Sequence, residues 1–60
     1  MNKDNISIDT EHNLVYITIS DSAIERTVGL SNGVNLDLND AGCVTGIELI
    51  LNSEDMSHFL

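Results

Sequence analysis

The feature that most narrows what this chain can become is residues 34–51, VNLDLNDAGCVTGIELIL. Val34, Leu36 and Leu38 alternate with Asn35 and Asp37, the period of two that marks a half-buried strand. Residues 39–42, Asn-Asp-Ala-Gly, are turn formers, and Gly42 can take the left-handed conformation that closes a hairpin. A long apolar strand follows. It places Cys43, Thr45, Ile47, Leu49 and Leu51 on one face and Val44, Gly46, Glu48 and Ile50 on the other. A four-residue turn sets Ile47 opposite Val34 and completes an apolar face. A three-residue turn shifts the pairing by one and reverses the faces, so the register stays open.

The remaining segments read in the same way. Ile6 and Ile8 alternate with Ser7 and Asp9, a short strand ended by the polar residues 10–13. Residues 14–19, LVYITI, have the β-branched and aromatic content of a central strand. Leu14 and Tyr16 point one way, Val15, Ile17 and Ile19 the other. Beyond the break at residues 20–22, residues 23–30 predict a third strand with Ile24, Arg26 and Val28 on one face, because Thr27, Val28 and Gly29 oppose a helix. Asn32-Gly33 is a hairpin signal in which both residues accept positive φ. Asn52 or Ser53 caps a C-terminal helix of about two turns. Glu54 and Asp55 suit its dipole, and Met56, Phe59 and Leu60 form its apolar side. Residues 1–5 are expected to fray. The expected architecture is one α+β, mainly β, domain over residues 1–60. It is an antiparallel sheet of four to five strands in hairpins, with a short C-terminal helix.

Sixty residues bury too little surface to be comfortable alone, and such chains use disulfides, metals or partners. Cys43 is the single cysteine, so no internal disulfide forms. One thiol with the distant His12 and His58 makes a poor zinc set. Partnering is the remedy left. Residues 14–19 and 43–51 read as apolar on both faces, and one small helix covers only one. A homodimer or higher oligomer is therefore expected, with Val15, Ile17, Ile19, Ile50 and Phe59 at the interface. The formal charge of -8 opposes pairing. Repulsion screened by salt should lose to several buried aliphatic side chains at about 1.5–3 kcal/mol each.

Ten acidic residues face only Lys3 and Arg26. Nucleic-acid binding and attraction to anionic membranes are excluded by sign. No run approaches the roughly 20 apolar residues of a membrane span, and the opening residues are polar rather than signal-like. With one free cysteine, a cytoplasmic location is expected. The acidic surface serves solubility or the binding of a basic protein.

Asp37-x-Asn39-x-Ala41-Gly42 with Glu48 five residues on has the spacing of a calcium-binding EF-hand loop. Ala41 offers no ligand oxygen and both flanks read as strands, so calcium is set aside. Asp37 and Glu48 on facing strands leave a metal-dependent site as a minor alternative. A chain this small offers little room for a sealed pocket, and solvated edge charges are the plainer role. The serines sit in turns and at ends. His12 and His58 suit the surface, and Cys43, with no base near it, suits a buried or half-buried spectator. No catalytic residue, metal or cofactor is expected, and the chain is not read as an enzyme. Tyr16 is either a core residue with its hydroxyl at the rim or an interface anchor. The residues expected to meet a partner are Tyr16, Glu25, Asp37 and Glu48.

Ile8-Asp9-Thr10-Glu11, Val15-Tyr16-Ile17, Asn32-Gly33-Val34, Asp37, Gly42 and Gly46-Ile47-Glu48 together resemble a prokaryotic family, domain of unknown function 2283. Its members carry YD-x-E-x-D-x-L-Y-I, DGV-x-x-D-x-D-x-x-G and V-x-G-I-E-I-L. The resemblance runs over residues 6–54 without gaps. Ile8 stands where the family has Tyr, and Asn13 and Asn39 stand where it has Asp. The resemblance implies a small antiparallel β fold and brings no enzyme activity. Some members sit beside small toxin-like proteins, which implies a neutralising role, but no residue roles carry over. The expected function is a non-enzymatic acidic interaction module that binds or neutralises a protein partner, antitoxin-like or inhibitor-like. The alternative is an acidic nucleic-acid mimic, such as a phage-encoded inhibitor of a defence enzyme. That role requires carboxylates ranked along one surface at phosphate spacing.

Overall fold

The computed structural model describes residues 5–57. The expectations for residues 1–4 and for His58, Phe59 and Leu60 lie outside the described residues. Five strands form in chain order: β1 (Ile6–Asp9), β2 (Leu14–Thr18), β3 (Arg26–Ser31), β4 (Val34–Leu38) and β5 (Val44–Ile50). A one-turn helix follows, α1 (Ser53–Met56). The strands make a single antiparallel sheet in the order β1-β2-β5-β4-β3. Three hairpins and one crossover over residues 19–25 therefore account for the connections. The mainly β reading holds, with a helix smaller than expected.

Local chemistry sets each turn. The Asp9 carboxylate accepts from the backbone N–H of Glu11 (3.0 Å) and of His12 (3.2 Å), folding the chain back at the end of β1. Asn13 completes that turn at φ 55. Between β3 and β4 Gly33 takes positive φ, at 77°, while Asn32, which also tolerates it, does not. A register shift between Gly29 and Ser31 supplies the twist, so one left-handed residue is enough. Between β4 and β5 the Asn39 side-chain oxygen accepts from the N–H groups of Ala41 and Cys43, both at 2.9 Å. Gly42 sits at φ 82, as its place in the turn predicts. Asn39 is thus committed to the turn, and the EF-hand spacing has no loop to serve.

The β4–β5 register differs from the four-residue-turn expectation. Val34 lies opposite Leu49 and Leu36 opposite Ile47, with a shift between Asp37 and Leu38. The displacement of the strand body is two residues, so the apolar set keeps its face.

Cross-strand rows identify the two faces. One face carries the rows Ile6–Ile17–Ile47–Leu36–Val28 and Ile8–Val15–Leu49–Val34. The reverse carries Ser7–Tyr16–Glu48–Asn35–Gly29 and Thr18–Gly46–Asp37–Thr27, with Leu14 and Ile50 at one end. This corrects the expectation that both faces are apolar. Tyr16 and Gly46 count as compatible with an apolar surface in sequence, yet their row neighbours across the sheet are polar.

The apolar face is thinly covered. Val15 at 0% and Met56 at 3% exposure are the buried apolar residues among those described. Ile17, two residues from Val15 on the same face, is only half-buried. The cover therefore lies at the Val15 end, where β5 delivers α1. Asn52 caps that helix by accepting from the Asp55 N–H at 2.7 Å, as predicted. Of the expected interface residues, Val15 is enclosed within the protomer and offers no free surface. Ile19 and Ile50 are each half exposed, but Ile50 is on the reverse face, so it shares no patch with Val15 and Ile17. Cys43, expected to be buried or half-buried, is exposed in the β4–β5 turn. Among the described residues no helix is long and apolar enough to cross a membrane.

Candidate functional site

The reverse face gathers three of the four residues expected to meet a partner: Tyr16 from β2, Asp37 from β4 and Glu48 from β5. Tyr16 stands directly opposite Glu48, and Asp37 opposite Gly46, two residues before Glu48. Tyr16 leans diagonally over Gly46 and donates its hydroxyl to Asp37 Oδ2 at 2.5 Å. A Cβ at position 46 would collide with the hydroxyl and lie 2.5 Å from the ring carbon Cζ. Glycine is thus what opens the path across β5. The Thr27 hydroxyl donates to Asp37 Oδ1 at 2.6 Å, and Asn35 Nδ2 donates to Glu48 Oε1 at 2.9 Å. Through these bonds Tyr16 ties β2 to β4 across β5, and Thr27 ties β3 to β4. Thr45, next to the register shift, donates its hydroxyl to the Asp37 carbonyl at 3.2 Å.

The electrostatics follow from that geometry. The Thr27 hydroxyl, and after it the Tyr16 hydroxyl, hold the Asp37 carboxyl below its usual range, with burial opposing. The bond to Asp37 pushes the Tyr16 phenol up to about 12, helped by burial and by the charges of Asp37 and Glu48. A phenol held that high is a poor proton donor or acceptor near neutrality. Asp37 is only 8% exposed and both its oxygens are engaged. The cluster therefore locks strand register. Tyr16 is half-buried with its hydroxyl bonded across β5 rather than set at the rim, and Glu48 keeps partial exposure.

Glu25, the fourth residue, sits apart. It is exposed just before β3 and lines an open cleft of about 220 Å³ with Ser22, Ala23, Ile24, Asn39 and Asp40. Glu25 and Asp40 thus bring two carboxylates beside Ile24, which is 55% exposed. At the opposite turn, His12 Nδ1 lies 2.9 Å from Asp9 Oδ2, and this contact holds the Asp9 carboxyl below its ordinary value. It is the one contact between a basic side chain and a carboxylate within 4.0 Å among the described residues.

No group of three or more His, Cys, Asp or Glu side chains able to hold a metal occurs among the described residues. Asp37 and Glu48 share a face, but Thr27, Tyr16 and Asn35 already occupy three of their four oxygens. The described carboxylates are divided among turns, helix and reverse face. Sequence reading missed Thr27, Asn35 and the role of Gly46. A glycine inside an otherwise β-branched strand was the available signal, since it marks a close approach.

A family model described as protein of unknown function (DUF2283) matches residues 5–52. No curated protein matches the chain, and no solved structure matches it.

Proposed function

This chain belongs to the DUF2283 family of proteins of unknown function, and from that premise we propose that it is a small, non-enzymatic, acidic interaction module. It acts in the cytoplasm as a homo-oligomer and binds or neutralises a protein partner with a basic surface. The observation that carries this reading is the cleft at Glu25 and Asp40. There two exposed carboxylates flank an exposed isoleucine on a chain of formal charge -8. Complementary charge steers a basic partner toward such a surface, and the apolar residue gives it something to bury. Tyr16, Asp37 and Glu48 support the module from within by fixing the sheet that carries the cleft.

Capture from a source-cell lysate on the immobilised protein, at low and at high salt, tests the reading. One basic protein should be retained in near-stoichiometric amount and be released as salt rises. Glu25→Gln with Asp40→Asn should weaken retention about tenfold. Glu54→Gln with Asp55→Asn, an equal change in charge on the helix, should leave retention nearly unchanged. Retention indifferent to salt, or equal loss in both variants, would defeat the assignment.

A further inference from the structure

We propose that Asn32-Gly33, the loop between β3 and β4, is a site of spontaneous deamidation, where the chain converts its own asparagine to aspartate and isoaspartate and loosens the edge strand β3. The reaction needs neither the partner nor the self-association of the reading above, so its test stands apart from theirs.

Deamidation requires a free carboxamide and an unhindered backbone nitrogen beside it. Asn32 is exposed at the tip of its hairpin. Gly33 has no Cβ to crowd its nitrogen, and among the described residues only its carbonyl is engaged, accepting from Ile50 N at 2.7 Å. The other described asparagines are occupied or shielded. Asn13 donates to Ser53 Oγ at 3.5 Å and Asn35 to Glu48 Oε1 at 2.9 Å. Asn39 Oδ1 accepts from the N–H groups of Ala41 and Cys43, and Asn52 Oδ1 caps α1. Asn5 precedes Ile6, whose β-branch crowds the nitrogen that would attack.

The Gly33 nitrogen gives its proton to hydroxide and attacks Asn32 Cγ. A succinimide ring closes through the new N–Cγ bond as the Cγ–Nδ2 bond breaks. The side-chain nitrogen takes a proton from water and leaves as ammonia, which restores the hydroxide. A second water then opens the ring. Attack at Cγ breaks the Cγ–N bond and gives aspartate. Attack at the main-chain carbonyl carbon breaks the original peptide bond and gives isoaspartate, whose backbone runs through Cβ and Cγ. The net change consumes water, releases ammonia and involves no oxidant or reductant. It adds one negative charge to the formal -8.

The loop has no slack for the extra main-chain carbon of isoaspartate. Ser31 pairs with Val34 directly across Asn32 and Gly33. On the Gly33 side the chain is clamped: φ is 77°, and a Cβ there would lie 2.6 Å from the Ile50 carbonyl oxygen. The strain therefore falls on β3, which pairs only with β4 and is exposed along its whole length.

Incubation of the unaltered full chain at physiological temperature and mildly alkaline pH, followed by peptide-mapping mass spectrometry, tests the proposal. Over days residue 32 should change from amide to acid before any other asparagine, with isoaspartate in excess and a rate that rises with pH. Asn32→Gln, whose longer side chain closes its ring far more slowly, should abolish the change. In the separated isoaspartate form, amide exchange in β3 should quicken by at least about tenfold while β2 keeps its protection. Asn32 left intact in the folded chain would overturn the proposal, and its loss in a parallel sample unfolded in urea would show that the turn protects it. Earlier loss at Asn39 or Asn52, or aspartate as the sole product, would overturn it as well. Unchanged exchange in β3 would refute the loosening.

Discussion

Replacing Gly46 by alanine tests the diagonal reach of Tyr16 that organises the reverse face. Gly46 has no positive φ, so its backbone accepts any residue and only the space above it is at issue. A methyl group there would collide with the Tyr16 hydroxyl and stand 2.5 Å from Cζ and 3.0 Å from Cε2. The ring must swing off, forfeiting its 2.5 Å bond to Asp37. Overpacking costs about 1–3 kcal/mol, and a hydrogen bond to a charged group about 1.5–3 kcal/mol. Taking the lower part of both for a half-buried ring, and returning about 0.5–1 kcal/mol for removing a strand glycine, leaves a loss of roughly 2–3 kcal/mol. In a domain this small that lowers Tm by roughly 8 °C or more. The decisive comparison uses Tyr16→Val, which keeps β propensity and withdraws the ring. In that background Gly46→Ala should be neutral or stabilising by up to about 1 kcal/mol. Urea unfolding of all four proteins at one fixed protein concentration measures the coupling. An equal cost in both backgrounds would refute the idea that glycine is there for the tyrosine.

Other outcomes follow from the same contacts. Tyr16 is the single tyrosine and there is no tryptophan, so phenolate absorbance titrates one group; its midpoint should lie near 12 in the folded protein and return toward 10.0 in Asp37→Asn. Because the folded value lies above the unfolded one, the stability Tyr16 supplies is complete below pH 10 and is lost as pH climbs toward 12, and Tyr16→Phe should remove that alkaline dependence. Asp37 has the opposite sign: its folded value lies below 3.8, so its contribution is complete above the carboxylate range and is lost as pH falls through that value, a dependence Asp37→Asn should erase in acid unfolding. Met56→Ala should cost about 2 kcal/mol, the low end for a core methionine under thin cover, and should speed amide exchange at Val15 before it does so in β3.

Much of the fold was legible in the sequence because it depends on alternation and turn chemistry. Val34 to Leu38 declares its strand by period, Asn39 and Gly42 declare their turn, and Asn52 declares the helix start. The strand order was not legible, since the crossover at residues 19–25 carries no marker of which edge it reaches. The character of the reverse face was hidden for a related reason. Leu14 and Tyr16 look apolar side by side, but what surrounds Tyr16 is set by β5 and β4, twenty and more residues away. The same distance concealed Thr27, whose bond to Asp37 exists only once the β3–β4 register is known. Asp37 and Glu48 were recognised as neighbours across a hairpin, yet their engagement by Tyr16, Thr27 and Asn35 needed the whole sheet. Residues placed by local rules could be read early, and those placed by pairing could not.

The central claim is that one side of this sheet is dry and the other wet in the assembled protein. Methyl NMR with a soluble paramagnetic relaxation agent measures this residue by residue. The account predicts that Ile6, Ile8, Ile17 and Val28 are shielded nearly as well as Val15, while Ile50 on the reverse is strongly relaxed. Relaxation of Ile6, Ile8 and Val28 as strong as that of Ile50, in the folded protein, would contradict it.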